Sequence, residues 1–208
     1  MEFPYIVPEL KDFILKLLGP PSEELGLLLG EQVKLLRLKS SIKVFQRAKQ
    51  RLIEAGFSEP KPIDLKTLVP LLEYCSLENE DNDLIEKWAG LLSSACIGSF
   101  KCYCYPQILN QLSPIEAQIL DMMYGFIKAN IPSAKWWHPS GIGDIWLSFN
   151  ISKEDYTIYI VNLNRLGLIE ITNRYYTRDG GFLDDKDRLV SITPLGADFI
   201  EACRGPSK

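Results

Sequence analysis

PSEELGLLLGEQVKLLRLKSSIKVFQRAKQRLIEA, Pro21–Ala55, is written for a helix. Pro21 suits a first turn, where its missing N–H would have no partner anyway. Glu23 and Glu24 then sit at the positive end of the helix dipole. No proline interrupts the run, and Gly56 follows it as a helix stop. At 1.5 Å per residue the stretch makes a rod of roughly 50 Å. Leu38, Ile42, Phe45 and Leu52 share one side, with Leu35 and Ile53 at its margin. Lys39, Lys43, Arg47 and Arg51 follow one another at intervals of four on the opposite side. From Gln32 to Ile53 the stretch has seven basic residues and no acidic one. It therefore offers a cationic stripe, and two readings of the stripe stay open. One is a solvated outer face; the other is a contact for phosphates or for an acidic partner.

Outward from this stretch the pattern stays helical. Pro8–Leu18 predicts a short amphipathic helix with Leu10, Phe13, Ile14, Leu17 and Leu18 as its apolar face, and Gly19-Pro20-Pro21 turns it into the long one. FSEPKPID is a connector, Asp64 is a candidate N-cap, and Leu65–Leu77 predicts a helix that Pro70 strains. A charged loop, Glu78–Asp83, leads to a helix over Leu84–Ile97, with Leu84, Trp88, Leu91, Leu92 and Ala95 at helical spacing.

These segments carry a resemblance. LLGPPSEELGLLLGEQVKLLRLKSSIKVFQRAKQRL, then LVPLLEYCSLENED, then LIEKWAGLLSSA, resembles the Abi-alpha family of bacterial abortive-infection proteins. The motif elements are Gly19 and Pro20, Glu24 and Gly26, Arg37, and Trp88-Ala89 with Leu91-Leu92, over roughly Leu17–Leu120. The resemblance implies a helical protein of phage defence and brings no catalytic residues with it.

From residue 113 the pattern changes. Ser113-Pro114-Ile115-Glu116 is a capping box. Ser152 caps a helix to about Leu166, stopped by Gly167. Leu168–Thr177 alternates as a strand, Leu189–Ile192 returns, and Thr193-Pro194 opens a last helix. This order resembles a winged helix with Asp179–Asp187 as the wing tip. The fold class expected is therefore mainly α: a helical module over 1–112, with one very long basic amphipathic helix, and a winged-helix-like module with a small β-wing over 113–208.

In such a module the groove-entering helix would be Ser152–Leu166. Its inward face is Tyr156, Tyr159, Ile160, Leu163 and Leu166; Glu154, Ile158, Val161 and Arg165 face outward. Two aliphatic residues and an acid are poor readers of a DNA groove. Ile158, Val161 and Arg165 are instead expected to form a protein interface, with another copy, the helical module or a foreign target.

Composition narrows the classes further. The net charge of −4 divides into 13 basic against 15 acidic residues over 1–112 and 10 against 12 over 113–208, so neither half is a basic nucleic-acid module. No membrane span or signal-peptide pattern is present, and five cysteines without a framework fit a reducing cytoplasm. Cys96, Cys102 and Cys104 match zinc spacing poorly. The single histidine, His138, stands beside Trp136 and Trp137, as a stacking pocket or as plain packing of indoles. No P-loop, metalloprotease or hydrolase motif appears, and no cofactor or metal is implied. The expectation is a non-enzymatic, cytoplasmic phage-defence protein that binds a protein partner or itself, with nucleic acid a further partner through the basic helix. The alternatives are a winged-helix DNA-binding regulator and a toxin-type enzyme with an unrecognised site.

Overall fold

Helix boundaries among the described residues follow local chemistry. The computed structural model describes residues 12–13, 16–17, 38–57, 59–78, 84–130, 140–141, 149, 151–172 and 189–206. Helix α1 spans Leu38–Glu54, α2 Leu65–Cys75, α3 Leu84–Ile97, α4 Tyr105–Asn110 and α5 Pro114–Asn130. Strand β1 is Ser140–Gly141, α6 is Lys153–Arg165, β2 is Ile169–Thr172, β3 is Leu189–Ile192, and α7 is Pro194–Arg204. The described residues are mainly helical with one small antiparallel sheet. Its chain divides into two compact units, Met1–Gln111 together with Glu201–Lys208, and Leu112–Ile200.

In the first unit α1 is the described part of the expected rod; residues 21–37 lie outside the described residues. Gly56 ends it at φ 84°, a left-handed conformation that glycine adopts without a Cβ penalty. Phe57 N–H then donates to the Leu52 carbonyl at 2.8 Å. The buried side of α1 is Ser41, Val44, Phe45, Ala48 and Leu52. The expected margin residue Ile53 is 63% exposed, and Ile42 is half-buried. The face is turned toward the basic stripe because α1 packs chiefly against α3, which approaches on that side.

Helix α3 is the centre of the unit. Every residue from Trp88 to Cys96 is buried, as are Leu84 and Ile85, so it is covered all round as an interior helix must be. Trp88 is fully buried, and its indole N–H donates to Glu78 Oε1 at 3.2 Å. Asp64 caps α2, its Oδ1 accepting from Lys66 N–H at 2.8 Å, and the helix runs on through Pro70. Helix α4 has no counterpart in the sequence pattern; Pro106 occupies its first turn, and Tyr105, Pro106, Ile108 and Leu109 are buried. Of the expected apolar face of Pro8–Leu18, Phe13 and Leu17 are buried, with Phe13 edge-on to Phe45 at 6.3 Å, and Leu10, Ile14 and Leu18 lie outside the described residues.

The last turn of α7 and the residues after it belong to the first unit, although the sequence gives them to the second module. Gly90 makes this possible, since a Cβ there would overlap the backbone of Cys203. Ser94 Oγ donates to the Ala202 carbonyl at 2.8 Å.

In the second unit α5 begins at the predicted capping box. Glu116 Oε2 accepts from Ser113 N–H and Oγ, each at 2.7 Å. Ser152 Oγ accepts from Asp155 N–H at 3.0 Å to open α6, and Gly167 closes it at φ 72°. The sheet order is β1-β3-β2, antiparallel throughout, with Ile169 opposite Ile192 and Thr172 opposite Leu189. Ile169, Val190 and Ile192 are buried, as are Tyr156, Ile160 and Leu163 of α6.

Candidate functional site

On α1 the basic stripe meets an acid from a different helix. Arg51 Nη2 lies 2.8 Å from Glu86 Oε2, and Arg47 Nε lies 3.3 Å from Glu86 Oε1. One carboxylate of α3 thus joins two guanidiniums one helical turn apart. Arg51 Nη1 also donates to the Arg204 carbonyl at 2.6 Å, satisfying one of the orphan acceptors at the end of α7. The side chains are partly exposed, 28% for Arg51, 45% for Glu86 and 50% for Arg47. Each exposed pair is worth about 0.2–1 kcal/mol, so the geometry matters more here than the energy.

Lys43 is half-buried, and the side chain of Lys39 lies outside the described residues. Beside the arginines runs an open groove of about 470 Å³, where Gln50 Nε2 donates to Glu54 Oε1 at 2.8 Å. The groove thus presents guanidiniums, an amide and carboxylates that are already engaged with one another. Glu86 is the residue that reading the sequence missed. Its signal is that Glu86 and Lys87 are the only charges in an otherwise apolar or small-residue helix.

The second candidate is the outward side of α6. Ile158 is 64% exposed and Val161 56%, on a helix whose other side holds Tyr156, Ile160 and Leu163 in the core. Arg165 extends the same stripe. Its Nε and Nη2 donate to Asn162 Oδ1 at 3.0 and 2.8 Å, and Asn162 Nδ2 donates to Glu116 Oε1 at 2.7 Å. Glu116 is buried, and its other oxygen serves the α5 cap. A chain of hydrogen bonds from the α5 cap therefore fixes the direction of Arg165 before anything binds. Neither Asn162 nor Glu116 stands out in the sequence as part of that surface.

The cysteines divide into two kinds. Cys102 and Cys104 are half-buried and joined by a disulfide, Cα atoms 5.2 Å apart, a pairing the sequence did not predict. Cys75, Cys96 and Cys203 are buried thiols. Burial pushes Cys75 and Cys96 each up to about 12. They stay protonated at neutral pH and pack as small apolar groups.

Among the described residues no group of three or more His, Cys, Asp or Glu converges to hold a metal, and no helix is long and apolar enough to cross a membrane. Trp136, Trp137 and His138 lie outside the described residues, as do Gly19, Pro20, Glu24, Arg37 and the wing tip.

What these features define is a mainly helical, two-unit protein. The chain belongs to the abortive infection alpha family, which matches residues 30–203. No curated protein and no solved structure matches it. The family match corrects the extent of the resemblance read from motifs. Gly19, Pro20 and Glu24 precede it, and it runs on through most of the second unit rather than ending near Leu120. Membership associates the chain with abortive infection, phage defence in general.

Proposed function

We propose that this chain is a non-enzymatic phage-defence protein that acts by binding a protein through the outward face of α6. The observation that carries the reading is the exposure of Ile158 and Val161, side by side on a helix whose opposite face is core. Covering what remains exposed of these two aliphatic side chains is worth about 1–2 kcal/mol apiece to a partner. Arg165, already oriented by Asn162, costs less side-chain entropy to engage than a free arginine would.

A winged-helix reading of the second unit has its own support in the strand order β1-β3-β2 and in a helix that leads directly into β2. A DNA-reading role for α6 fits that topology but not its surface, because Glu154 and Asp155 at the start of the helix would face phosphates. On α1, Arg47 and Arg51 already answer a carboxylate of the chain itself, which weighs against phosphate as the purpose of the stripe.

The test is a phage challenge of bacteria expressing the full chain or its Ile158→Glu, Val161→Glu variant. Equal amounts of folded protein with protection lost in the variant is the expected result. Full protection by the variant would overturn the reading.

A further inference from the structure

The outward stripe of α6 is complementary to its own reversal. Its members are Glu154, Ile158, Val161 and Arg165: acid, aliphatic, aliphatic, base. They fall at i, i+4, i+7 and i+11, the spacing that keeps side chains on one line of a helix. The two aliphatic residues sit symmetrically about the midpoint of the stripe, and the two charges sit symmetrically outside them. Turning a second copy end for end therefore sets Ile158 against the partner's Val161, and Glu154 against the partner's Arg165. By the same two-fold both contacts occur twice.

We infer that the α6 stripe is a self-complementary surface, and that its partner is a second copy of this chain, paired antiparallel about a two-fold axis at the Ile158–Val161 midpoint. This rests on the reading of α6 as a protein-binding face and gives it an occupant. Self-complementarity is the requirement of an isologous contact, in which one patch must match its own rotated image. A parallel arrangement would set Glu154 against Glu154 and Arg165 against Arg165, so charge alone selects the antiparallel one. The dipoles of antiparallel helices also run opposed, which favours the same choice.

The residues around the stripe hold its ends in place. Asp155, the other acid of the first turn, is occupied by Ser152, whose Oγ donates to its Oδ2 at 2.7 Å. Arg165 is held at the far end by Asn162 and, through it, by Glu116. Ile158 and Val161, at 64% and 56% exposure, make the centre, and the charges make the rim, as in protein interfaces generally.

The size of the patch sets the strength. A helix of 13 residues is roughly 20 Å long, and one helix crossing covers well under the roughly 800 Å² per partner of a standard stable interface. The dimer formed by α6 alone is thus a weak, concentration-dependent one.

Sedimentation velocity of the full chain over a concentration series, at low and high salt, tests this. The expected result is a reversible monomer–dimer equilibrium that salt weakens and that Ile158→Glu with Val161→Glu abolishes. Charge reversal then tests the register. Glu154→Arg alone and Arg165→Glu alone should each weaken self-association by about tenfold, two favourable rim pairs having become repulsive. Mixing these two single variants should restore a dimer, because each now carries the charges the other lacks. All four positions are exposed, so circular dichroism should show an unchanged helix content.

A wild-type chain that stays monomeric at every concentration overturns the inference. A dimer indifferent to the α6 substitutions, or single variants that do not recombine, overturns it as well. The proposed function separates cleanly from this: a monomeric chain whose double-glutamate variant still loses phage protection has a foreign partner on the same face. A dimer through α6 whose disruption leaves protection intact refutes the function and keeps the surface.

Discussion

Replacing Gly90 with alanine adds one methyl group at the most crowded point of the first unit. The obstacles are backbone: the Cβ would overlap the carbonyl of Cys203 and lie 3.2 Å from the Arg204 carbonyl carbon. No rotamer change can relieve a clash with main chain, so residues 203–205 must retreat by about an ångström or more to reach ordinary contact distance. That retreat strains the bond from Ser94 Oγ to the Ala202 carbonyl, worth about 1 kcal/mol. It also strains the charge-assisted bond from Arg51 to the Arg204 carbonyl, worth about 1.5–3 kcal/mol. Against this, alanine in place of glycine gains up to about 1 kcal/mol of helix propensity. The net cost is about 1.5–4 kcal/mol, or roughly 3–16 °C in Tm for a chain of this length.

Gly125 in α5 is the control, since a Cβ there meets nothing within 4 Å and alanine should raise stability slightly. Thermal and urea unfolding of the two variants beside the parent decide the matter. If Gly90→Ala unfolds with or after Gly125→Ala, the close approach of the last turn to α3 is wrong.

Further outcomes follow from buried groups. Tyr156 is buried, and its hydroxyl finds no hydrogen-bond partner among the described residues, so Tyr156→Phe should leave stability unchanged or raise it by about 1 kcal/mol; a loss of similar size in urea melts would reveal a missing partner. Burial raises Cys75 and Cys96 from 9.0 to about 12 and Tyr156 from 10.0 to about 12. Because the unfolded chain releases these protons first, their stabilising contribution is complete below about pH 9 and is lost as pH rises toward about 12. Urea midpoints measured across that range should fall steadily, and a flat profile would contradict the burial. The Cys102–Cys104 bond closes so short a loop that it constrains the unfolded chain little, about 1.6 kcal/mol by loop entropy. Cys102→Ser with Cys104→Ser should therefore lower Tm by only a few degrees, and outright unfolding of the variant would show the bond to be a structural staple.

How much was legible in the sequence depended on how far apart the deciding residues lie. The Asp64, Ser113 and Ser152 caps, the glycine stops at 56 and 167 and the inward face of α6 could all be read directly. Each is set within a stretch of about four residues, where local geometry alone decides the outcome. The exposed aliphatic pair on α6 was legible for the same reason. What the sequence could not decide is which side of a helix meets which neighbour. The face of α1 turned toward α3, leaving Ile53 in solvent and bringing Arg47 and Arg51 to a glutamate more than thirty residues away. The last turn of α7 settled on Gly90, and Glu116 and Asn162 reached across to aim Arg165. Periodicity reports that a helix has an apolar side. Only docking, where many weak contacts between distant segments compete for the same space, settles what that side is pressed against and which charges come to share an edge.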